Sequence, residues 1–437
     1  MRSVSIHTLG CKLNFAESGT LERQFRDHQY DVVPFGAPSD VTVINTCTVT
    51  EEADRKCRQV VRRAIRLNPD TFVVVTGCYA QLEPEEIAAI PGVDVVLGAN
   101  EKLQLFRYVD AFQKRESTQI SVSCIDDVET FGPAYAAGDR TRAFLKIQDG
   151  CDYICSFCTI PFARGKSRSA NIVDVVRQAH EIGDAGYKEI VISGVNIGLF
   201  GQDTGERLID LIAALDNVES IERFRISSIE PNLLSDEMID FVAGSRRFMP
   251  HFHIPLQSGD DEILGKMKRR YRSKRYKDRV LKIKEVMPHA CIGVDVIVGF
   301  PGETDDHFQR SLHLLTELPV SYLHVFTYSE RPLSSASSVE TGLSVPKSER
   351  SRRNKVLRLH SEKKRAAFYN ENLGTSRTVL WEHSEKNGYQ LGFTDNYIRV
   401  ERPSDGVFEE QLEMVFLEGV STSGNVQIGE PEFVTLI

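Results

Sequence analysis

Cys151, Cys155 and Cys158 fall within "DGCDYICSFCTIPFARGKSRS" (149–169), three thiols at spacings of four and three with basic side chains directly after them. Thiolates are soft ligands that favour zinc or iron–sulfur clusters. A structural zinc site closes with four protein ligands, commonly two cysteine pairs or a cysteine pair with a histidine pair. This segment has neither, and no histidine lies close by. A [4Fe–4S] cluster takes one thiolate per iron, so three thiolates leave one iron open to bind something that reacts. The absent fourth cysteine is then the functional feature. A zinc knuckle completed by a distant residue is the competing reading.

Three further cysteines share a design among themselves. "VSIHTLGC" ends at Cys11, "VTVINTC" at Cys47 and "FVVVTGC" at Cys78. Each is a β-branched apolar run that closes on Thr or Gly before its cysteine. Helix-like segments such as "EEADRKCRQVVRRAIRLNP" separate them, acidic at the start and stopped by Asn-Pro. Strand, helix and strand in that rhythm predict a doubly wound parallel sheet, whose ligands gather at the carboxyl ends of its strands. Cysteines distant in sequence can therefore meet at a shared metal site. Any one alone would read as a small buried hydrophobe. Cys57, Cys124 and Cys291 fit no ligand pattern, and structural roles are expected for them.

The chain has 437 residues, which predicts two or three domains, and 41% hydrophobic content, enough for real cores. No apolar run is long enough to span a bilayer. The N-terminal stretch "MRSVSIHTLGC" enters a strand pattern without a signal-peptide core, so a cytoplasmic location with no membrane contact is expected. Nine cysteines in so large a chain are not a secreted disulfide framework. Residues 110–138 read as a linker. Strand candidates then resume in "AFLKIQ", "EIVISGV", "RFRISSI", "HFHIPLQ", "CIGVDVIVGF" and "YLHVFTY". Six βα units are too few for a closed eight-stranded barrel, which predicts an open partial barrel with its chemistry on the loops after the strands. "PKSERSRRNKVLRLHSEKKRAAF" reads as one long basic helix, and the short alternating runs after it as a small β-barrel with a hairpin at Asn387-Gly388.

The CxxxCxxC spacing, with Phe157 before the last thiol, resembles the radical S-adenosylmethionine superfamily. "LGCKLNFAES", "NTCTVTEEADRKCRQ", "TGCYAQ", "HIPLQSGDDEILGKMKRRY", "DVIVGFPGET" and "HVFTYSERP" narrow the resemblance to its methylthiotransferases. The resemblance implies an α/β fold in three parts. These are an N-terminal doubly wound parallel sheet (1–125), an open (βα)6 partial barrel of radical S-adenosylmethionine type with the basic helix (126–370), and a TRAM β-barrel (371–437). It implies two [4Fe–4S] clusters, one on Cys151, Cys155 and Cys158 and an auxiliary one on Cys11, Cys47 and Cys78 that carries the sulfur to be inserted. S-adenosylmethionine would serve as radical source and methyl donor. Gly194 and Asn196 of "ISGVNIG", Ser228, Gln257, Ser258 and Val298 are candidate contacts to it, beside Phe157. No general base is evident, so no catalytic residue is assigned beyond the cluster ligands.

The motifs look most like the MtaB-type branch, whose substrate is N6-threonylcarbamoyladenosine in tRNA, methylthiolated at C2 of the base. The expected partners are a tRNA anticodon stem-loop, an electron donor and a sulfur source, with the chain as a monomer. Basic runs at Arg55–Arg66, Lys266–Lys284 and Lys347–Arg365 could neutralise phosphates despite a net charge of −9. Candidate RNA contacts are Lys166, Arg168, Lys268, Arg270, Arg331, Arg377, Lys386 and Arg399. Residues 375–437 hold four Lys or Arg against eleven Asp or Glu, an acidic balance that suits RNA poorly. Isopentenyladenosine in tRNA, a ribosomal-protein aspartate, and a non-catalytic iron–sulfur RNA-binding protein remain the alternatives.

Overall fold

Strands buried at every position can sit only inside a sheet covered on both faces. β3 (Val41–Thr46) and β4 (Phe72–Gly77) are of that kind. They lie centrally in a parallel sheet with β1 (Ser3–Thr8), β2 (Asp31–Val33), β5 (Val95–Leu97) and β6 (Gln119–Ser121), in the order β2-β1-β3-β4-β5-β6. On one face Val41, Val43 and Val74 pack with Leu21 and Phe25 of helix α1 (Lys12–Asp27). On the other, Ile44, Val73 and Val75 pack with Cys57 and Val61 of α2 (Glu51–Leu67). The computed structural model describes residues 1–47, 51–109, 111–136, 141–331, 333–337, 343–404 and 411–429, with 51–54 and 384 described by backbone alone. Residues 48–50 and 332 of the quoted motifs, and 405–410 and 430–437 of the C-terminal barrel, lie outside the described residues. Among the described residues no helix is long and apolar enough to cross a membrane.

The segment 110–138 is more than a linker. It contributes β6 to the first sheet and β7 (Ala134–Ala136), antiparallel, to the edge of the second. Both are three residues long, too short to show a period in the sequence. Helix α1 lies across β7: the Arg23 guanidinium sits 3.6 Å from the Tyr135 ring centre and donates to the Tyr135 carbonyl at 3.0 Å.

The six expected strands of the partial barrel are β8 (Arg142–Lys146), β11 (Glu189–Ser193), β12 (Arg223–Ile226), β13 (His251–His253), β14 (Cys291–Val298) and β15 (Tyr322–Thr327). A two-residue pair, β9 (Gln148–Asp149) with β10 (Arg168–Ser169), brackets the cysteine loop. The strands form two ladders, β12-β11-β8-β7 and β13-β14-β15, joined by bridges Phe224–Phe248 and Ser228–His253. The free edge of β15 is covered by the helix Lys347–Asn372, whose Ser361 hydroxyl accepts from the Leu323 amide at 2.8 Å.

The C-terminal strands β16 (Ser376–Lys386), β17 (Tyr389–Thr394), β18 (Arg399–Pro403), β19 (Leu412–Val420) and β20 (Val426–Gly429) close into a barrel around buried Trp381. Asn387 (φ 55°) and Gly388 (φ 79°) make the expected tight turn. Arg225 docks this barrel on the central one: it pairs with buried Glu189 at 2.7 Å and donates to the Thr394 and Asp395 carbonyls, each at 2.7 Å.

A buried carboxylate joins the first sheet to the partial barrel. Glu17 of α1, fully buried, accepts from Lys102 at 2.5 Å, Arg164 at 3.0 Å and Lys146 of β8 at 3.2 Å. Asp149 accepts from Lys146 at 2.8 Å and Arg164 at 2.9 Å. Burial alone would raise both carboxyls, but the surrounding cations hold them below their ordinary range. Their contribution to stability is complete above that range and is lost as pH falls through the depressed values. Replacing Glu17 by Gln leaves buried cations uncompensated, an expected loss of about 3–5 kcal/mol. A lower denaturant midpoint, with a weaker acid dependence than the parent chain, is the outcome to look for.

Candidate functional site

The first three cysteines are placed by backbone geometry at adjacent strand ends. Thr8 of β1 aligns with Asn45, and Thr46 of β3 aligns with Gly77 of β4, so Cys11, Cys47 and Cys78 emerge along one carboxyl edge. The strand order reverses between β1 and β3, which makes this edge a topological switch point. Two glycines make the crowding possible. Gly10 (φ +107°) faces Cys47, and a Cβ there would lie 2.6 Å from the Cys47 Cβ and 3.0 Å from its Sγ. Gly77 (φ +100°) would put a Cβ 2.4 Å from the Thr46 carbonyl oxygen. Only glycine tolerates both the positive φ and the approach. Asn14 ties the edge together, donating to the Leu9 carbonyl at 2.7 Å and the Thr46 carbonyl at 2.9 Å.

The second trio occupies the loop after β9. Cys155 is buried with Tyr153 and Leu199, and Cys151 and Cys158 are partly buried against that cluster. The Cys151 Sγ accepts from the Tyr153 amide at 3.4 Å, and the Cys155 Sγ from the Arg269 guanidinium at 3.1 Å. Arg269 is itself held by Glu230 and by the Tyr271 hydroxyl, which donates to the Pro255 and Leu256 carbonyls. Burial pushes the Cys151 thiol up to about 11 and the Cys158 thiol up to about 12. Buried thiolates need a positive partner, which the irons of a cluster would supply; as they stand, no three His, Cys, Asp or Glu side chains among the described residues are grouped closely enough to hold a metal ion.

Gln148 stitches this loop to the turn after β11, a role with no motif to announce it. Its amide nitrogen donates to the Gly150 carbonyl at 2.7 Å and the Ser167 hydroxyl at 2.9 Å, and its oxygen accepts from the Asn196 amide at 2.9 Å. Gly194 leaves room for Gln148, since a Cβ there would meet the Gln148 Oε1 at 2.7 Å. The Asn196 side chain is within hydrogen-bonding reach of the Cys151 thiol, and its two buried polar atoms find no other partner among the described residues. Such orphaned atoms fit a bound polar ligand. A cavity of about 240 Å³ opens beside the loop, lined by Phe157, Cys158, Gln257, Asp295, Ile297 and Phe326.

Two of the expected S-adenosylmethionine contacts face elsewhere. Val298 lies in the central core, because alternate β14 side chains point to opposite faces and the cavity is lined by Asp295 and Ile297. Ser258 is buried, its hydroxyl 3.3 Å from that of Ser311 and accepting from the Asp260 amide. Ser228 stands at the bridge between the two ladders. Cys57 and Cys291 are core residues, and Cys124 is exposed.

Among the expected RNA contacts, Lys166, Lys268, Arg270 and Lys386 are exposed. Two others are buried, and two are partly exposed but paired with carboxylates. Arg168 is buried and donates to the Arg164 and Lys166 carbonyls. Arg331 is buried as well. Arg377 pairs with Asp395 at 3.2 Å, and Arg399 makes two 2.6 Å bonds to Glu382 while lying over the Phe393 ring. Local acidic partners consume these charges, which a count of basic residues does not reveal. The helix Ser273–Val286 likewise spends Lys274 on Asp278, Arg279 on Asp236 and Lys282 on Asp240.

Replacing Gln148 by Ala frees the cysteine loop from the turn after β11. Equilibrium binding of S-adenosylmethionine to the reconstituted protein is expected to weaken roughly 10–100-fold, the usual cost of losing a supporting contact behind a metal site.

Comparison with known proteins follows the same division. Residues 3–98 match the uncharacterized protein family UPF0004, and residues 145–315 match the radical SAM superfamily. The chain is 41% identical over 408 residues to the threonylcarbamoyladenosine tRNA methylthiotransferase MtaB of Bacillus subtilis, covering 92% of this chain and 90% of that one. It is 38% identical to the protein of the same name from Aquifex aeolicus, covering 91% of this chain and 96% of that one. The tRNA-2-methylthio-N(6)-dimethylallyladenosine synthase of Streptomyces coelicolor is more distant, 33% identical over 79% of this chain and 70% of that one. Among solved structures, the radical S-adenosylmethionine methyltransferase TsrM from Kitasatospora setae shares the fold, with a TM-score of 0.56 at 14% identity over 77% of this chain and 75% of that one. The chain belongs to the radical S-adenosylmethionine methylthiotransferases, in their MtaB-type branch.

Proposed function

We propose that this chain inserts a methylthio group at C2 of N6-threonylcarbamoyladenosine beside the anticodon of tRNA. The observation that carries this reading is the pair of three-cysteine sites on a chain 41% identical to an enzyme named for that substrate. Cys151, Cys155 and Cys158 hold the [4Fe–4S] cluster that accompanies S-adenosylmethionine, and Cys11, Cys47 and Cys78 hold a second one. When bound, these groups supply radical chemistry, a methyl group and the inserted sulfur. The protein positions them and keeps water away. Arg269 donates to the Cys155 sulfur, Gln148 fixes the loop, and Asn196 offers its amide to the cofactor. The work divides over residues 1–125, 126–370 and 371–437, the last part meeting RNA.

The route for the anticodon stem-loop is a chain of concavities. The cavity at Cys158 shares Phe326 and Thr327 with a groove of about 480 Å³ that runs past His324, Arg358 and Arg365. That groove shares His324, Ser361 and Arg365 with a further one of about 450 Å³, lined by Tyr322, Phe393 and Tyr397 against the barrel. Arg358 and Arg365 are exposed cations that can neutralise phosphates, while Phe393 and Tyr397, stacked on each other and flanked by His251 and Arg399, wall the far end of the route. The acidic balance of the barrel is then compatible with RNA, because the cations come from the basic helix. The enzyme acts in the cytoplasm as a monomer, with an electron donor and a sulfur source as partners.

The test uses reconstituted enzyme, reductant, S-adenosylmethionine and an anticodon stem-loop carrying threonylcarbamoyladenosine, read by nucleoside mass spectrometry. A methylthio gain is expected on that nucleoside. A gain confined to isopentenyladenosine would overturn the substrate, and intact S-adenosylmethionine would mark a passive iron–sulfur protein. Cys151→Ala should abolish release of 5′-deoxyadenosine, whereas Cys11→Ala should preserve it and stop sulfur insertion. Equal loss of cleavage in both would contradict the division of labour. Arg358→Ala should weaken stem-loop binding and lower the slope of log affinity against log salt by about one.

A further inference from the structure

Around Glu17 the charges do not cancel. The bonded cluster contains two carboxylates, Glu17 and Asp149, against Lys102, Lys146 and Arg164, with the Arg168 guanidinium 3.9 Å from Asp149. All six are buried, and Glu101, next to Lys102, is turned to Ser123. Surplus buried cation is costly, and an apolar core of the same volume would be cheaper, unless an anion belongs there.

The surplus faces the first cysteine trio. Arg164 donates to the Asn14 side-chain oxygen at 2.7 Å, the same oxygen that lies 3.9 Å from the Cys11 Sγ. Asn14 in turn holds the carbonyls of Leu9 and Thr46, which lead into Cys11 and Cys47. The helix Ile160–Arg164 packs on the helix Cys78–Leu82, which begins at the third cysteine of the trio. In the opposite direction Arg164 bonds Asp149, whose carboxylate accepts from the Gly150 amide, and the Cys151 amide donates to the Gly165 carbonyl at 3.0 Å. One guanidinium thus touches supports of both trios.

We propose that Arg164, with Lys102 beside it, is the counter-charge and positioning residue of the auxiliary cluster, an inference that rests on the second cluster proposed above. A cubane core bound by three thiolates carries net negative charge, and sulfur loaded on it adds more. The surplus cation offsets that charge, and the two-way tether fixes how the sulfur-bearing site faces the cavity at Cys158. Arg164 is a positioning residue because its contacts are to Asn14, Glu17 and Asp149.

The test is an EPR-monitored redox titration of the reconstituted holoenzyme, in which S-adenosylmethionine perturbs the radical cluster and so identifies it. Arg164→Met should move the auxiliary midpoint to lower potential, because reduction adds negative charge, and leave the radical cluster's midpoint in place. Methylthio product per 5′-deoxyadenosine should fall roughly tenfold. Arg164→Lys should restore most of the potential. Lys102→Met removes charge without touching Asn14 or Asp149, and keeps the test alive if Arg164→Met does not fold. It should shift the auxiliary midpoint in the same direction. An unchanged midpoint in both charge-removing variants, or equal shifts of both clusters, would overturn the proposal. A parent enzyme with a single cluster would instead overturn the reading on which it rests.

Discussion

Glu17 is the constraint on which the arrangement depends. A helix of the first sheet reaches with this carboxylate to the carboxyl end of β8, where Lys146 and Arg164 of the partial barrel meet it together with Lys102 of its own domain. Ions so deeply buried are expensive to desolvate and tolerate little misalignment, so the two domains have one permitted docking. That docking places the carboxyl edge of the first sheet against the loop after β9. In the proposed reaction, radical chemistry at one site and sulfur at another would need a fixed mutual geometry, which a rigid polar junction provides better than a sliding apolar one.

The same logic recurs at the other interface. Glu189 gathers Arg225 and Arg223, and their guanidinium groups continue into backbone carbonyls of the C-terminal barrel. Each junction is therefore centred on buried carboxylate, Glu17 with Asp149 at one and Glu189 at the other. The basic helix along β15 lines a groove that continues outward from the cavity at Cys158.

Much of this was legible in residue types. The β-branched runs ending in cysteine predicted a parallel sheet with thiols on one edge. Asn387-Gly388 announced its turn. What stayed hidden depends on neighbours remote in sequence. Val298 and Ile297 are equally apolar, and only the register of β14 decides which one lines the cavity. Arg377 and Arg399 look available until Asp395 and Glu382 are seen beside them. Gln148, Glu230 and Arg269 act through hydrogen bonds that no spacing encodes, and strands as short as β6 and β7 leave no periodic trace.

The central claim is that six thiols from two domains build two separate clusters. Iron quantitation with Mössbauer spectroscopy on the reconstituted chain tests it most directly. The account predicts about eight irons per chain in two cubane sites, falling to about four when either Cys47 or Cys155 is replaced by Ala. About four irons in the parent chain, unaffected by the Cys47 change, would contradict it.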